Sequence, residues 1–268
     1  MRFRFDHDLH IHSMLSACSN DPEQSTQRIL EYALKYGLNT VCITDHFWDE
    51  TVEGASDWYK PQNFPWISRA LPLPKAEGVK FLFGCETDMD KYLTVGLSKP
   101  TLEKMDFAII PTTHLHMKGF TLTEEDALSL ERRAELWAVR FGALLDKDLP
   151  FRKIGVAHLA CRLIANTSRE DYLAVLEMIS DDTMEKLFAK AAGQGIGIEL
   201  NSGDMSFADD EADCVLRMFR IAKKQGCKFY CGSDAHHPAG LENAPAIFER
   251  AIDYLGLTED DKFHIEGV

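Results

Sequence analysis

Residues 5–13 read FDHDLHIHS, a β-strand pattern that ends in two histidines, His10 and His12. Side chains alternate between the two faces of a strand, so these imidazoles lie on one face, about 7 Å apart along the chain. Leu9 and Ile11 then point to the other face. Two imidazoles at this spacing can share one metal ion, but alternating polar residues also occur on solvated sheet faces. The pair alone is therefore weak evidence for a metal site.

The rest of the chain repeats this arrangement, with short apolar runs that end in polar residues of metal-ligand type. Strands are predicted at residues 5–13, 40–44, 79–85, 106–111, 153–157, 195–201 and 228–232. Helical patterns separate most of them, at residues 25–36, 123–145, 169–192, 209–225 and 244–255. Parallel strands joined by helices predict a closed α/β barrel, with an open doubly wound sheet as the alternative. In such a barrel the active site lies at the C-terminal ends of the strands.

One segment interrupts this alternation. The chain has 268 residues, a length that one barrel can occupy as a single domain. Residues 47–78 contain Trp48, Trp58, Trp66 and four prolines. A long insertion of this composition is either a functional loop over the site or a segment packed against the edge of the barrel.

Composition narrows the class of protein. Hydrophobic residues at 45% and charged residues at 27% are ordinary globular values. The sequence shows neither a membrane-spanning apolar run nor a signal peptide, and its seven cysteines include no CxxC pair, which together predict a cytoplasmic location. The net charge of −14 disfavours long nucleic acid. A small phosphorylated substrate remains compatible with this charge, because bound divalent cations invert the local field.

Eight residues of metal-ligand type stand at or just beyond the predicted strand ends. They are His10, His12, His46, Glu86, His114, His158, Asp234 and His236. Imidazole and carboxylate together suit Zn²⁺, Mn²⁺ or Fe. Eight ligands exceed the needs of one ion, so we expect at least two, with a carboxylate such as Glu86 between them. Two neighbouring ions can hold a phosphate ester and convert a shared water into a hydroxide nucleophile.

An ordered set of motifs resembles the PHP (polymerase and histidinol phosphatase) superfamily of metal-dependent phosphoesterases. The motifs are HIHS at 10–13, ITDH at 43–46, Glu86, His114, GVAH at 155–158 and GSDAHHP at 232–238. The resemblance covers nearly the whole chain and is closest to the histidinol phosphatase-like members. It implies a distorted (β/α)7 TIM-like barrel with two to three divalent metal ions.

The resemblance also implies how the ligands are shared. One ion, with the catalytic hydroxide, is held by His10, His12, Glu86 and Asp234. Glu86 bridges to a second ion, completed by His114 and His158. A third ion takes His46 and His236. Histidinol phosphatase-like members complete this third site with a histidine where this chain has Cys18. A thiolate can ligate Zn²⁺ or Fe; alternatively, Cys18 is only a loop residue and the third ion is weak or missing.

Three residues are candidates for substrate binding. Arg162 lies four residues beyond His158, and its guanidinium can bind phosphate oxygens in bidentate fashion; a surface ion pair is the alternative. Lys118 is a weaker candidate of the same kind, and Asn201 can hold a water or a substrate hydroxyl.

Several further polar residues have roles outside this set of ligands and substrate-binding residues. Asp8 and Asp45 are expected to orient neighbouring imidazoles, whereas Glu199 is as easily a buried structural carboxylate. His116 is an alternative to His114 as a ligand. We expect three histidines to be non-ligands, namely His7, His237 and His264.

These observations predict a cytoplasmic metal-dependent hydrolase of small phosphate monoesters. Histidinol phosphate is a candidate through the resemblance alone, and a nucleoside monophosphate, a sugar phosphate or a phosphodiester fits the residues equally well. A metal-dependent amidohydrolase is an alternative, although no predicted strand ends in the lysine that such enzymes often carry. A non-catalytic metal-binding regulatory barrel is the other alternative. A homodimer is expected only from base rates.

Overall fold

Among the described residues, seven strands form one sheet in sequential order, and each strand is parallel to the next. The computed structural model of the chain describes residues 1–126 and 129–268. The strands are β1 (His7–Ile11), β2 (Thr40–Ile43), β3 (Lys80–Glu86), β4 (Phe107–Pro111), β5 (Ile154–Ala157), β6 (Gly197–Asn201) and β7 (Lys228–Gly232).

The last strand returns beside the first and nearly closes the sheet. A parallel bridge pairs Ile11 with Ala235, and the backbone N–H of Asp234 donates to the carbonyl of His10 at 2.7 Å. The predicted distorted (β/α)7 barrel is confirmed. The open doubly wound sheet is excluded, because its first and last strands would not be neighbours.

Helices follow most of the strands. They are α1 (Thr26–Tyr36), α2 (Phe64–Ile67), α3 (Lys99–Leu102), α4 (Leu130–Leu145), α5 (Arg169–Met178), α6 (Asp181–Gln194), α7 (Ala212–Lys224) and α8 (Pro238–Leu255). Local sequence sets their ends: at α1, the Ser25 side chain accepts from the N–H of Arg28, and Gly37 ends the helix in the left-handed conformation. None of the described helices combines the length and apolar character needed to cross a membrane.

Three helix boundaries differ from the prediction. The helix expected at 169–192 is divided, because Ile179 is extended and the Ser180 side chain caps a new helix by accepting from the N–H of Thr183. The helix expected at 123–145 begins only at Leu130; residues 127–128, which the prediction included, lie outside the described residues. Helix α8 begins at Pro238 rather than 244, because proline is well suited to the first turn.

The first strand differs from a regular strand in a way that matters for the site. Leu9 packs inside the barrel with apolar residues of other strands, such as Phe107 and Tyr230. Ile11 packs in a separate cluster with residues of α1 and α8. The expectation that both point to one face is wrong, because the pairing of β1 with β2 is irregular between Asp8 and Ile11.

Candidate metal centre

The eight predicted donors converge at the C-terminal end of the barrel. His10 and His12 are 0% exposed, and Glu86 is the last residue of β3. His46, His114, His158, Asp234 and His236 stand in the turns that follow β2, β4, β5 and β7. Because parallel strands end at one edge, six strand ends that are distant in sequence bring their polar side chains into one cluster.

A first group contains His10, His12 and Asp234. The Nε2 atoms of the two imidazoles face each other at 3.1 Å. Asp234 Oδ1 lies 3.4 Å from the first of these nitrogens and 3.1 Å from the second. Two ring nitrogens at this separation, beside a carboxylate, form a donor set that one divalent cation can satisfy.

A second group contains Glu86, His114 and His158. Glu86 Oε1 lies 3.0 Å from His158 Nε2, and the His114 ring stacks on that of His158 with centroids 4.7 Å apart. His114 Nδ1 binds Asp88 Oδ2 at 2.8 Å. This contact leaves Nε2 of His114 available as a ligand.

A third group contains His12, His46 and His236. His46 Nδ1 is buried and has no hydrogen-bond partner among the described residues, although Glu86 Oε2 lies 2.9 Å away. Such an atom costs free energy unless something else binds it. Cys18, which the resemblance implied for the third ion, is not a member of this group; it lies at an exposed position that lines the cavity, and its ligation stays a prediction.

Glu86 stands between the three groups. Its two oxygens lie within 3.6 Å of ring nitrogens of four histidines, at 3.0 Å from His158, 2.9 Å from His46, 3.4 Å from His12 and 3.6 Å from His10. A buried carboxylate in this position can be shared by neighbouring ions. The mixture of imidazole and carboxylate donors therefore fits divalent transition metals.

The direction of the pKa shift divides the imidazoles of the cluster into two kinds. Burial acts to lower the pKa of His10, but the carboxylates of Glu199, Asp234 and Glu86 outweigh it and hold that pKa well above 6.5. Burial lowers the pKa of His236 to about 3. His236 is therefore neutral and ready to ligate at neutral pH, whereas His10 must release a proton first.

The Cys18 thiol is held in its protonated form. Although the residue as a whole is exposed, partial burial of the thiol, with smaller contributions from the Glu86 and Asp234 carboxylates, raises its pKa to about 12. Ligation by Cys18 would therefore require a cation to displace this proton.

Two carboxylates that orient the donors were not predicted. Glu199 Oε1 binds His10 Nδ1 at 2.6 Å, and its Oε2 accepts from the backbone N–H of His158 at 2.7 Å. Asp88 holds His114. Sequence periodicity contained a signal for Glu199, which is two residues before Asn201 on β6 and therefore shares its strand face. Asp88 lies beyond the end of β3 at Glu86, so strand alternation gives no such signal for it.

The two predicted orienting residues have different roles. Asp45 acts on His12 through Ser16, whose hydroxyl lies 2.8 Å from both His12 Nδ1 and Asp45 Oδ1. Asp8 binds no imidazole; it accepts from the Tyr32 hydroxyl and from the backbone N–H of Ser233. The expectation for Asp8 is therefore wrong, and this carboxylate instead ties β1 to the end of β7.

Two of the donors occupy an unusual backbone conformation. His158 has φ of +32° and Asp234 has φ of +54°. Residues with a Cβ avoid this region, and they persist there only where the surrounding structure fixes them. At both positions the turn directs the side chain into the donor cluster.

A cavity of about 520 Å³ opens above the donors. Its floor includes His46, Glu86, His114, Asp234 and His236. The remaining lining residues are Cys18, Ser56, Trp58, Tyr59, His116, Met117, Phe120 and Leu163. The cavity therefore joins the donor cluster to a largely apolar wall.

The insertion at 47–78 contributes part of this wall. Trp58 is 40% exposed and lines the cavity, whereas Trp48 is buried against Tyr59 and Phe120. Trp66 is 37% exposed and donates from its indole to the carbonyl of Leu15, outside the cavity lining. One part of the segment thus packs on the barrel edge while another faces the site.

The predicted substrate-binding residues are placed differently from one another. Arg162 and Lys118 are exposed and are not among the described residues that line the cavity; Lys118 lies 3.7 Å from Glu124. Asn201 is buried, with its Nδ2 at 3.4 Å from Asp234 Oδ2.

The remaining histidines lie outside the three donor groups. His116 lines the cavity wall, whereas His114 stands in the second group. His7 is held by Asp6 and by the N–H of Cys231. His237 contacts Asp21 at 3.2 Å.

Sequence comparison decides the family. The family model described as "PHP domain" matches residues 8–203, well over half of the chain. The chain belongs to the PHP domain family. This finding confirms the family resemblance drawn from the motifs. Asp234 and His236 lie beyond the matched range, and β7 brings them back beside β1.

A solved structure has a similar fold. The chain is similar to histidinol phosphate phosphatase from Lactococcus lactis, solved in complex with zinc, L-histidinol and phosphate. The TM-score is 0.59 and the identity 17%, over 92% of this chain and 93% of the other. At this identity the similarity shows the fold. No curated protein matches the sequence.

Family membership and the donor clusters together identify the general activity. This PHP chain is a metal-dependent phosphoesterase, a hydrolase with a site for divalent metal ions.

Proposed function

We propose that the protein hydrolyses small phosphate monoesters, with the whole chain acting as one domain. The observation that carries this proposal is the position of Glu86, a buried carboxylate with four imidazoles around it. The ligands would be His10, His12, His46, Glu86, His114, His158, Asp234 and His236. When bound there, divalent ions would stabilise the charge of a phosphate ester and activate water for hydrolysis.

The protein's own side chains fix the geometry of this site. Glu199 holds the His10 ring and Asp88 holds the His114 ring, so each imidazole presents its Nε2 toward the cluster. Fixed rings need no reorientation during the reaction, which is how preorganised sites lower a barrier. Asn201 is not among the described residues that line the cavity, and its amide donates to Glu199 and Asp234, so a contact with a water or a substrate hydroxyl remains a prediction.

The choice of monoesters has two kinds of support. The cavity is concave and of limited volume, about 520 Å³, which suits a small molecule. The structurally similar Lactococcus lactis protein bears the name histidinol phosphate phosphatase, and it makes histidinol phosphate one candidate. Zinc, manganese or iron as the native metal, the cytoplasmic location, the homodimer and phosphate contacts from Arg162 and Lys118 remain predictions.

The test is elemental analysis of untagged protein purified without chelator, together with phosphate release from a panel of monoesters and diesters. We expect two to three metal equivalents per chain, and release from monoesters. Glu86→Gln should lose at least one equivalent and at least about 100-fold in kcat, because several donors depend on this carboxylate. Glu185→Gln, which alters a surface ion pair with Lys224, is the matched control.

Two results would count against the proposal. Full metal content and normal turnover in Glu86→Gln would remove the central role of this residue. Metal without phosphate release from any ester, even with added Mn²⁺, would shift the assignment to amide hydrolysis or to a binding role.

A further inference from the structure

We propose that the wall of the cavity is a subsite for an uncharged aromatic ring, so that the preferred substrates are phosphate monoesters of aromatic alcohols. This inference rests on the proposed function for the position of the phosphate, at the donor cluster. It concerns the leaving group, which the donors do not contact.

The wall is built from rings in contact with one another. Trp58 meets Tyr59 edge-on, with centroids 4.8 Å apart and planes at 89°, and Tyr59 lies 5.3 Å from Phe120. Trp48 packs behind them, 5.4 Å from Phe120. Met117 and Leu163 line the same cavity. Aromatic rings bind other rings through edge-to-face and offset contacts, and a thioether packs well on ring edges.

The position of this wall is fixed rather than adaptable. Tyr59 is 1% exposed, and its hydroxyl donates to Asp88 Oδ2 at 3.2 Å. The same oxygen binds His114 Nδ1. One carboxylate therefore sets both a donor of the metal cluster and a ring of the wall, so a ligand that reaches the cluster meets the wall at a constant distance.

Trp58 is the part of the wall that is open to a ligand. It is 40% exposed, and its ring lies 5.0 Å from the buried ring of His46. A large apolar face left exposed beside a buried polar site is typical of a ligand-binding surface. A substrate ring packed against the exposed part of Trp58, above the donor cluster, would remove this face from water.

The charges in the cavity disfavour charged leaving groups, including the ammonium group of histidinol, so the subsite ranks histidinol phosphate below esters of uncharged aromatic alcohols. Among the described residues, the lining contains no lysine or arginine, and its only carboxylates, Glu86 and Asp234, belong to the donor cluster. A second phosphate or carboxylate on the leaving group would find no cation. An ammonium group would find no carboxylate that is free of the metal site. An uncharged ring carries no charge that would have to be buried without a partner, so it avoids both of these free-energy costs.

The experiment compares two monoesters whose leaving groups are both alkoxides, 2-phenylethyl phosphate and glycerol 1-phosphate, so that intrinsic reactivity is matched. We expect the metal-loaded parent to favour the phenylethyl ester at least about tenfold in kcat/KM, a size typical of aromatic contacts. Trp58→Ala should remove most of this preference. Trp66→Ala is the matched control, because Trp66 is similarly exposed, lies in the same insertion and is not part of the described lining.

A second readout does not depend on turnover. Binding of phenylphosphonate and methylphosphonate, measured by calorimetry, should show the same preference for the ring and the same loss in Trp58→Ala. Metal content of this variant checks that His46 keeps its place.

The outcomes separate the two proposals. Equal kcat/KM values for both esters, or a preference unchanged in Trp58→Ala, would overturn the subsite and leave the phosphatase standing. Hydrolysis of neither ester, with a Trp58-dependent preference for phenylphosphonate, would retain the subsite and overturn the phosphatase. No hydrolysis and no ring preference would overturn both.

Discussion

Glu199 illustrates how one buried side chain can organise a site that it does not itself ligate. It joins His10 on β1 to the backbone of His158 after β5, two positions on different sides of the barrel. Its oxygens also lie near the Asn201 amide, which donates to Oε2 at 3.2 Å. This carboxylate therefore fixes one donor ring and the strained turn of a second donor.

We expect Glu199→Gln to weaken metal binding by about 10- to 100-fold, the usual effect of losing a residue that orients a metal ligand. The amide removes the negative charge beside His10 and offers one acceptor where two are needed. The measurement is metal affinity by chelator competition, with far-UV circular dichroism to confirm folding. Glu185→Gln should bind metal like the parent. Parental affinity in Glu199→Gln would show that His10 is held by its other contacts.

Cys18 and His12 show, also for single residues, that spacing along the chain does not identify every member of a donor group. The resemblance to histidinol phosphatase-like members implied Cys18 as a ligand of a third ion, and the structure groups His46 and His236 with His12. His12 belongs to two groups at once, and its ring stacks on that of His236 with centroids 4.1 Å apart. Spacing along the chain could not reveal this sharing, because it depends on where three strand ends meet.

At the scale of elements, β7 must approach β1 and β6 closely for the site to form. Gly232 makes this approach possible. A Cβ at this position would lie 2.0 Å from Glu199 Oε1 and 2.7 Å from the Cβ of His10. The carboxylate cannot move aside freely, because it holds His10 and His158.

Gly232→Ala should therefore destabilise the protein by about 1–3 kcal/mol, the usual cost of overpacking, and reduce metal content. Gly193→Ala is the matched control. Gly193 is exposed on α6 and a Cβ there would contact nothing within 4 Å, so alanine should be neutral or stabilise the helix by up to about 1 kcal/mol. Chemical denaturation measures the free energy of unfolding of both variants, and elemental analysis measures their metal content. A Gly232→Ala protein with parental stability and metal content would show that β7 can shift.

At the scale of the whole molecule, the buried cluster couples folding to pH. In the metal-free protein, burial acts to lower the pKa of His12, but hydrogen bonds to Asp234 and Glu86 outweigh it and raise that pKa above 6.5. The pKa of His10 is also raised above its usual value. The native state then holds protons that the unfolded chain has lost, so this stabilisation is present below pH 6.5 and decreases as pH rises through the raised values.

Metal binding reverses this dependence, because a bound cation replaces those protons and its affinity grows as they become easier to remove. We expect the difference in Tm between metal-loaded and chelated protein to increase from pH 6 to pH 8. Differential scanning calorimetry at several pH values measures it. A difference that is constant or decreases over this range would show that the imidazoles are already neutral in the metal-free state.

The sequence alone determined much of this protein. Alternating apolar runs and helical patterns predict the order of the strands, because both depend on residues close together in the chain. The position of donors such as His10, Glu86 and Asp234 at strand ends follows from the same pattern, since parallel strands present their ends at one edge. The family also follows from the order of these motifs.

Only the tertiary structure decided how the parts combine. It shows that Glu86 lies between three donor groups, that Glu199 reaches His10 across 189 positions of sequence, and that Trp58 faces the site while Trp66 does not. The irregular pairing of β1 separates Leu9 from Ile11, which a regular alternation places together. These contacts join strands and loops that are distant in the chain. Their geometry depends on barrel closure and side-chain packing, which local periodicity does not encode.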